Sequence, residues 1–129
     1  MATDPNRIAS YRDLLDLLVR EGVLHQARTE DQSVTIPTQK GTLDGLLIMR
    51  WQEADGVIQF IQSMLMDIPD EKIPVMESAI ARLNHALALP GMDLNHEFKA
   101  LTYRQVLPIY PRGYVHPNEI QAMFRITVK

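Results

Sequence analysis

The stretch from Leu43 to Trp51 constrains the fold of this chain more than any other. Its odd positions Leu43, Leu47, Met49 and Trp51 are apolar, while Asp44 and Arg50 fall at even ones. Successive side chains of a β-strand leave opposite sides of the backbone, so this alternation predicts a strand buried mainly on one face. Leu46 and Ile48 put apolar groups on the nominally outer face, which implies that part of it is covered as well, for instance by a partner. The turn Glu53-Ala54-Asp55-Gly56 leads into the run VIQFIQSMLMDIP. There Val57, Ile58, Phe60, Ile61, Met64 and Leu65 fit a helical stripe, whereas the density of Val, Ile and Phe favours a strand.

Upstream, Asp4 and Pro5 predict the N-cap and first position of a helix whose apolar face is Ile8, Tyr11, Leu14, Leu15 and Leu18, with Gly22 as its stop. Residues 25 to 33, HQARTEDQS, read as a connection into a short strand SVTIPT ended by Pro37, and Gln39 to Thr42 turn around Gly41. Downstream, Asp70 or an adjacent residue caps a second helix on which Ile73, Met76, Ile80, Leu83 and Leu87 form a narrow seam, closed by Pro90-Gly91. Met92-Asp93-Leu94 and ALTYRQVL predict a hairpin across a loop from Asn95 to Lys99. PIYPRGY is a proline-rich loop, and His116-Pro117 starts a third helix with Glu119 at its third position and Val115 stapled onto Ile120. Ile120, Met123, Phe124 and Thr127 share its inner face. The order α-β-β-β-α-β-β-α predicts an α+β layer with an antiparallel sheet of about five strands, and 129 residues predict one domain over 1–129.

Composition removes several function classes. Sixteen acidic residues against 13 Lys and Arg give a formal net charge of -3, which leaves no broad positive field for nucleic acid. With no cysteine, disulfides, thiolate metal sites and cysteine nucleophiles are excluded. The N-terminal MATDPNRIASYRD carries acids where a secretory signal needs a basic start and an apolar run, and no apolar stretch reaches membrane-span length. A cytoplasmic location is the expectation.

No catalytic constellation stands out. His25, His85, His96 and His116 never fall three or four residues apart, so no helical ligand pair forms. Asp13 with Asp16, and Asp67 with Asp70 and Glu71, are explained by capping and solvated helix faces. There is no GxGxxG, no phosphate loop and no nucleophile elbow. Neither cofactor nor metal is implied. The methionines at 64, 66, 76, 92 and 123 offer adaptable apolar surface, with core filling as the plainer use. Tyr110, Arg112 and Tyr114 are of the types enriched at interface hot spots.

Four stretches carry a resemblance: the first helix ending in EGV; DGVIQFIQSMLMDIP; DEKIPVMESAIARLNHAL with its Leu83-Asn84; and the extended pair MDLNHEF and ALTYRQVLP. Their order and spacing, from about Tyr11 to Leu107, resemble the YbjN family of small bacterial proteins, whose fold is similar to that of type III secretion chaperones. The resemblance implies that Val57 to Met66 is extended. Phe98-Lys99 departs from it, standing where such hairpins usually turn on a glycine. It further implies a non-enzymatic, often dimeric protein that binds polypeptides or acts in regulation. The resulting expectation is a homodimeric protein-binding module, of chaperone or regulator type, whose surface includes Leu46, Ile48, Tyr110, Arg112 and Tyr114. The alternative is a small-ligand regulator or small enzyme whose site gathers distant residues such as His85, His96, Glu97, Tyr103 and Arg104.

Overall fold

The computed structural model describes residues 6–40, 43–64, 68–86, 91–95 and 100–128. Helix α1 (Tyr11–Arg20) is opened by Ser10, whose hydroxyl accepts the Asp13 N–H at 3.1 Å, while the Asp13 carboxylate accepts the Ala9 N–H at 2.9 Å. This reciprocal cap satisfies two otherwise orphaned donors, and it starts the helix later than the Asp4-Pro5 signal predicts. Ile8 is therefore not helical but bridges to Val115 through its backbone. Asp4 and Pro5 themselves lie outside the described residues. Tyr11, Leu14, Leu17 and Leu18 form the buried stripe, and the Tyr11 hydroxyl donates to the Ser33 carbonyl at 2.7 Å. Gly22 ends the element with φ +68, a conformation that glycine reaches without a Cβ penalty.

The strands β1 (Gln26–Arg28), β2 (Ser33–Lys40), β3 (Leu43–Gln52), β4 (Val57–Met64), β5 (Met92–Asn95) and β6 (Ala100–Pro108) make one sheet in the order β1-β2-β3-β4-β6-β5. Every pairing is antiparallel. The expectation of about five strands is corrected to six by β1, which lies in the stretch read as a connection. All three of its residues are exposed, so no alternation betrays it. Strand β2 runs through Pro37 instead of ending there. The ladder to β1 stops at Thr35, so Pro37 sits where β2 has become an edge, which tolerates a missing N–H. Between Val57 and Met64, β4 pairs with β3 and β6 along its whole length. Its helix-like periodicity arises because Ile58, Phe60 and Gln62 are buried on one side and Ile61 on the other.

A short 3₁₀ turn (Asp70–Lys72) precedes helix α2 (Ile73–Ala86), and α3 (Pro117–Val128) closes the chain. Pro69, next to Asp70, holds the N-cap position of the 3₁₀ turn without a side-chain bond. The register puts Ile36, Leu47, Gln62, Tyr103 and Met92 in one row on the same side of the sheet. On that side α1 and α3 cover Val34, Ile36, Leu47, Met49, Trp51, Ile58, Phe60 and Leu107, which form the main core. The same side carries a second, smaller cluster of Ile68, Ile80 and Leu94, against which Ile73, Met76, Met92 and Leu101 pack. Leu83 departs from its predicted seam and is 48% exposed, while Leu87 lies outside the described residues. On β4, Gln62 passes over Gly45 to donate from Nε2 to Thr38 Oγ1 at 2.8 Å. A Cβ at position 45 would stand 2.6 Å from that nitrogen, so glycine is what lets the polar bridge cross β3.

Candidate functional site

The alternation that buries Leu47 and Met49 under the helices sends Leu46, Ile48 and Arg50 to the opposite side. Through the register, Thr35 and Pro37 of β2, Gln59, Ile61 and Ser63 of β4, and Thr102, Arg104 and Val106 of β6 share that face. Leu46 and Ile48 are half-buried and Val106 is 51% exposed. Ile61, Ala100 and Thr102 on this face are buried, yet none of them belongs to either helix-packed cluster. Among the described residues no helix contributes to either side of this apolar row, and all three helices pack on the other face. Arg50 lies 3.6 Å from Asp31, with its Nε buried and lacking a hydrogen bond among the described residues. Asp31 is held below the usual carboxylate range chiefly by the Ser33 hydroxyl, with Arg28 and Arg50 adding to the effect.

Both edges of the sheet are guarded. On β5, Asn84 Oδ1 accepts from the Gly91 and Met92 N–H groups at 3.2 and 2.9 Å, and its Nδ2 donates to the Met92 carbonyl at 2.9 Å. The next outward-facing amide, Leu94 N–H, donates to Asp93 Oδ1 at 2.8 Å. A helix side chain therefore takes the place an incoming strand would need. The opposite edge is β1, only three residues long, with Arg28 and Glu30 3.7 Å apart. Strand addition is disfavoured at β5 and at the short β1.

The loop between β6 and α3 forms a separate surface. Tyr110 is 79% exposed and precedes a cis bond to Pro111. Arg112 donates to both oxygens of Glu119 at 2.7 and 2.9 Å, and the same carboxylate accepts the His116 N–H at 3.0 Å. Tyr114 lies under the guanidinium groups of Arg7 and Arg112, at 4.6 and 5.2 Å, and meets His116 edge-on. The five residues predicted to form one surface thus fall into two places. Leu46 and Ile48 lie on the open face, whereas Arg112 and Tyr114 are engaged with α3 and the segment before α1. Sequence reasoning missed Ile61, whose side the helical periodicity of β4 obscures, and Val106 on β6; it quoted Asn84 only within the resemblance, without the role against β5 that the fold gives it.

Burial opposes the charge on Glu119, but the His116 N–H and the Arg112 guanidinium outweigh it and hold the carboxyl below the ordinary glutamate range. A lowered native pKa contributes stability that is present above the unfolded pKa and lost as pH falls through the native one. Glu119→Gln therefore lowers Tm by about 3–5 °C at neutral pH, as expected for one charge-assisted pair. The gap to wild type closes as pH is taken below the ordinary glutamate range. Thermal denaturation of both proteins across that range checks the sign.

Three of the residues of the alternative site lie among the described ones. Tyr103 and Arg104 are consecutive on β6 and leave opposite faces, His85 is exposed on α2, and His96 and Glu97 lie outside the described residues. No group of three or more His, Cys, Asp or Glu that could hold a metal occurs among the described residues. The depression beside Trp51 and Tyr110 measures about 180 Å³ and the groove between α2 and β5 about 290 Å³. No helix of the described residues is long and apolar enough to cross a membrane.

One helical layer on one side of a six-stranded antiparallel sheet, with an apolar row on the other side, defines an α+β protein that presents a surface. A family model described as "YbjN: Putative bacterial sensory transduction regulator" matches residues 10–129. The chain belongs to the YbjN family. No curated protein and no solved structure matches it.

Proposed function

We propose that this chain is a non-catalytic cytoplasmic regulator that works by docking another polypeptide on the open face of its sheet. The observation that carries the reading is the apolar row of Leu46, Ile48, Ile61 and Val106 on the side away from the helices. Guarded edges direct a partner to that row, and the family description as a regulator agrees with a role exercised through binding. The resemblance to type III secretion chaperones adds a second support, because chaperones of that kind hold polypeptides without chemistry.

Tagged chain recovered from its host tests the proposal. A stoichiometric polypeptide co-elutes with wild type and with the α2 control Val75→Asp, and Ile48→Asp reduces it at least ~10-fold, the loss expected at an interface core position. Retention by folded Ile48→Asp, or unfolding of that variant, removes the face from consideration.

A further inference from the structure

We propose that the depression at one end of the sheet, between the turn after β3 and the loop after β6, receives an arginine side chain of the polypeptide that docks on the open face. The proposal rests on the docking reading above, to which it adds a second point of attachment and a chemistry for the partner. The depression holds about 180 Å³, and Trp51, 3% exposed, lies at its floor. Glu53, Gly56, Tyr110, Pro111 and Gly113 contribute to its walls. Among the described residues that line it, Glu53 alone is charged, and Asp55, exposed in the same turn, has the same sign.

The chain does not use these groups itself. Among the described residues Glu53 makes no ion pair, and the Tyr110 side chain has no hydrogen bond or cation contact. Tyr114, four residues on, is the contrast: its ring faces the Arg7 and Arg112 guanidinium groups, and Glu119 accepts two hydrogen bonds from Arg112. A tyrosine ring 79% exposed beside an unpaired carboxylate offers a cation both a π face and an ion pair. Arginine fits better than lysine, because its planar guanidinium stacks on the ring while its fork donates two parallel hydrogen bonds to the carboxylate.

The backbone holds the two walls together. The Gly56 carbonyl accepts the Ile109 and Tyr110 N–H groups at 2.7 and 3.1 Å, and the Gly113 N–H donates to the Ile109 carbonyl at 2.9 Å. Gly56 has φ +66, and a Cβ there would stand 2.9 Å from Tyr110 Cβ, so glycine sets how closely the turn carrying Glu53 approaches Tyr110. The depression also begins where the open face ends. Alternation from Arg50, Gln59 and Val106 carries that face to Gln52, Val57 and Pro108, which pair in one row across β3, β4 and β6. Glu53 and Gly56 adjoin the first two in sequence. Ile48 and Gln52 are four residues apart, about 13 Å along a strand, so an extended partner covering the apolar row reaches the depression within a few residues.

Trp51 is the chain's single tryptophan, so its indole N–H resonance reports the site without labelling. The probe is Nα-acetylarginine amide, and the citrulline analogue, alike in shape but uncharged, is its control. The arginine probe shifts the Trp51 resonance saturably with a millimolar Kd, and the citrulline analogue does not. Glu53→Gln and Tyr110→Ala, both at exposed positions and melting as wild type does, each weaken the response about 10-fold, whereas Asp55→Asn weakens it less than ~3-fold. No saturable shift, an equal response to citrulline, an unchanged response in either variant, or an equal loss in Asp55→Asn each overturn the site. In recovery from the host, Glu53→Gln also lowers the co-eluting polypeptide about 10-fold, and unchanged recovery overturns that polypeptide as the source of the arginine. Ile48→Asp judges the open face without touching Glu53, so the two readings fail separately.

Discussion

Leu47→Asp leaves no folded protein at room temperature, whereas Leu46→Asp, one residue earlier, keeps a single cooperative transition. Leu47 is fully buried in the main core between β2 and β4, beneath the helical layer. Removing a buried leucine costs about 2–5 kcal/mol, and burying an unpaired carboxylate there costs several more. That sum, roughly 5–10 kcal/mol, is as large as the whole stability of many domains, ~5–15 kcal/mol. Leu46 points to the helix-free face, where an aspartate reaches water between Pro37 and Ser63. Its cost is the poor strand propensity of Asp plus partial loss of contact, about 1–2 kcal/mol. Circular dichroism melts of the two variants decide the matter. Equal destabilisation would mean that β3 is buried on both sides within one chain.

Gly91→Ala is expected to open the α2–β5 end of the molecule while leaving the main core intact. A Cβ on Gly91 would run into the backbone carbonyl oxygen of Arg104, and the Gln105 amide stands 2.9 Å away. The same pair of residues is joined by the Arg104 N–H donating to the Gly91 carbonyl at 2.8 Å, so β5 cannot retreat without losing a ladder bond. Retreat also withdraws Met92 from Asn84 and Leu94 from Ile80, dissolving the small cluster. Overpacking against backbone of this kind costs about 3 kcal/mol. Because that cluster is separate from the main core, the cost appears as local opening. Amide exchange in β5 and α2 rises about 100-fold, and exchange in β3 and β4 is unchanged. A uniform rise throughout the sheet would show one cooperative unit.

The parts of this fold that were legible beforehand are those where burial has one side and one period. The alternation from Leu47 to Trp51, the hairpin of Met92-Leu94 with Ala100-Leu107 and the His116-Pro117 helix entry with its Glu119 cap all stand where the residues place them. Strand β1 was illegible because three exposed polar residues carry no pattern, and Pro37 misled because only the extent of β1 decides whether β2 is an edge there. The onset of α1 moved because Asp13 answers Ser10, a tertiary-independent cap that outranks the Asp4-Pro5 signal. For the site, Leu46 and Ile48 were visible as exceptions to the alternation. Ile61 and Val106 were not, because their side depends on register with β3. Arg112 and Tyr114 have interface-prone chemistry but spend it on Glu119, Arg7 and His116.

The proposed working surface is the sheet face away from the helices. Side-chain footprinting of the complex recovered from the host, read against the free chain, addresses it most directly. The account predicts that Leu46, Ile48 and Val106 lose reactivity in the complex while Val75 and Leu83 on the outer side of α2 keep theirs. Protection of Val75 and Leu83, with Leu46, Ile48 and Val106 labelled as in the free chain, would contradict it.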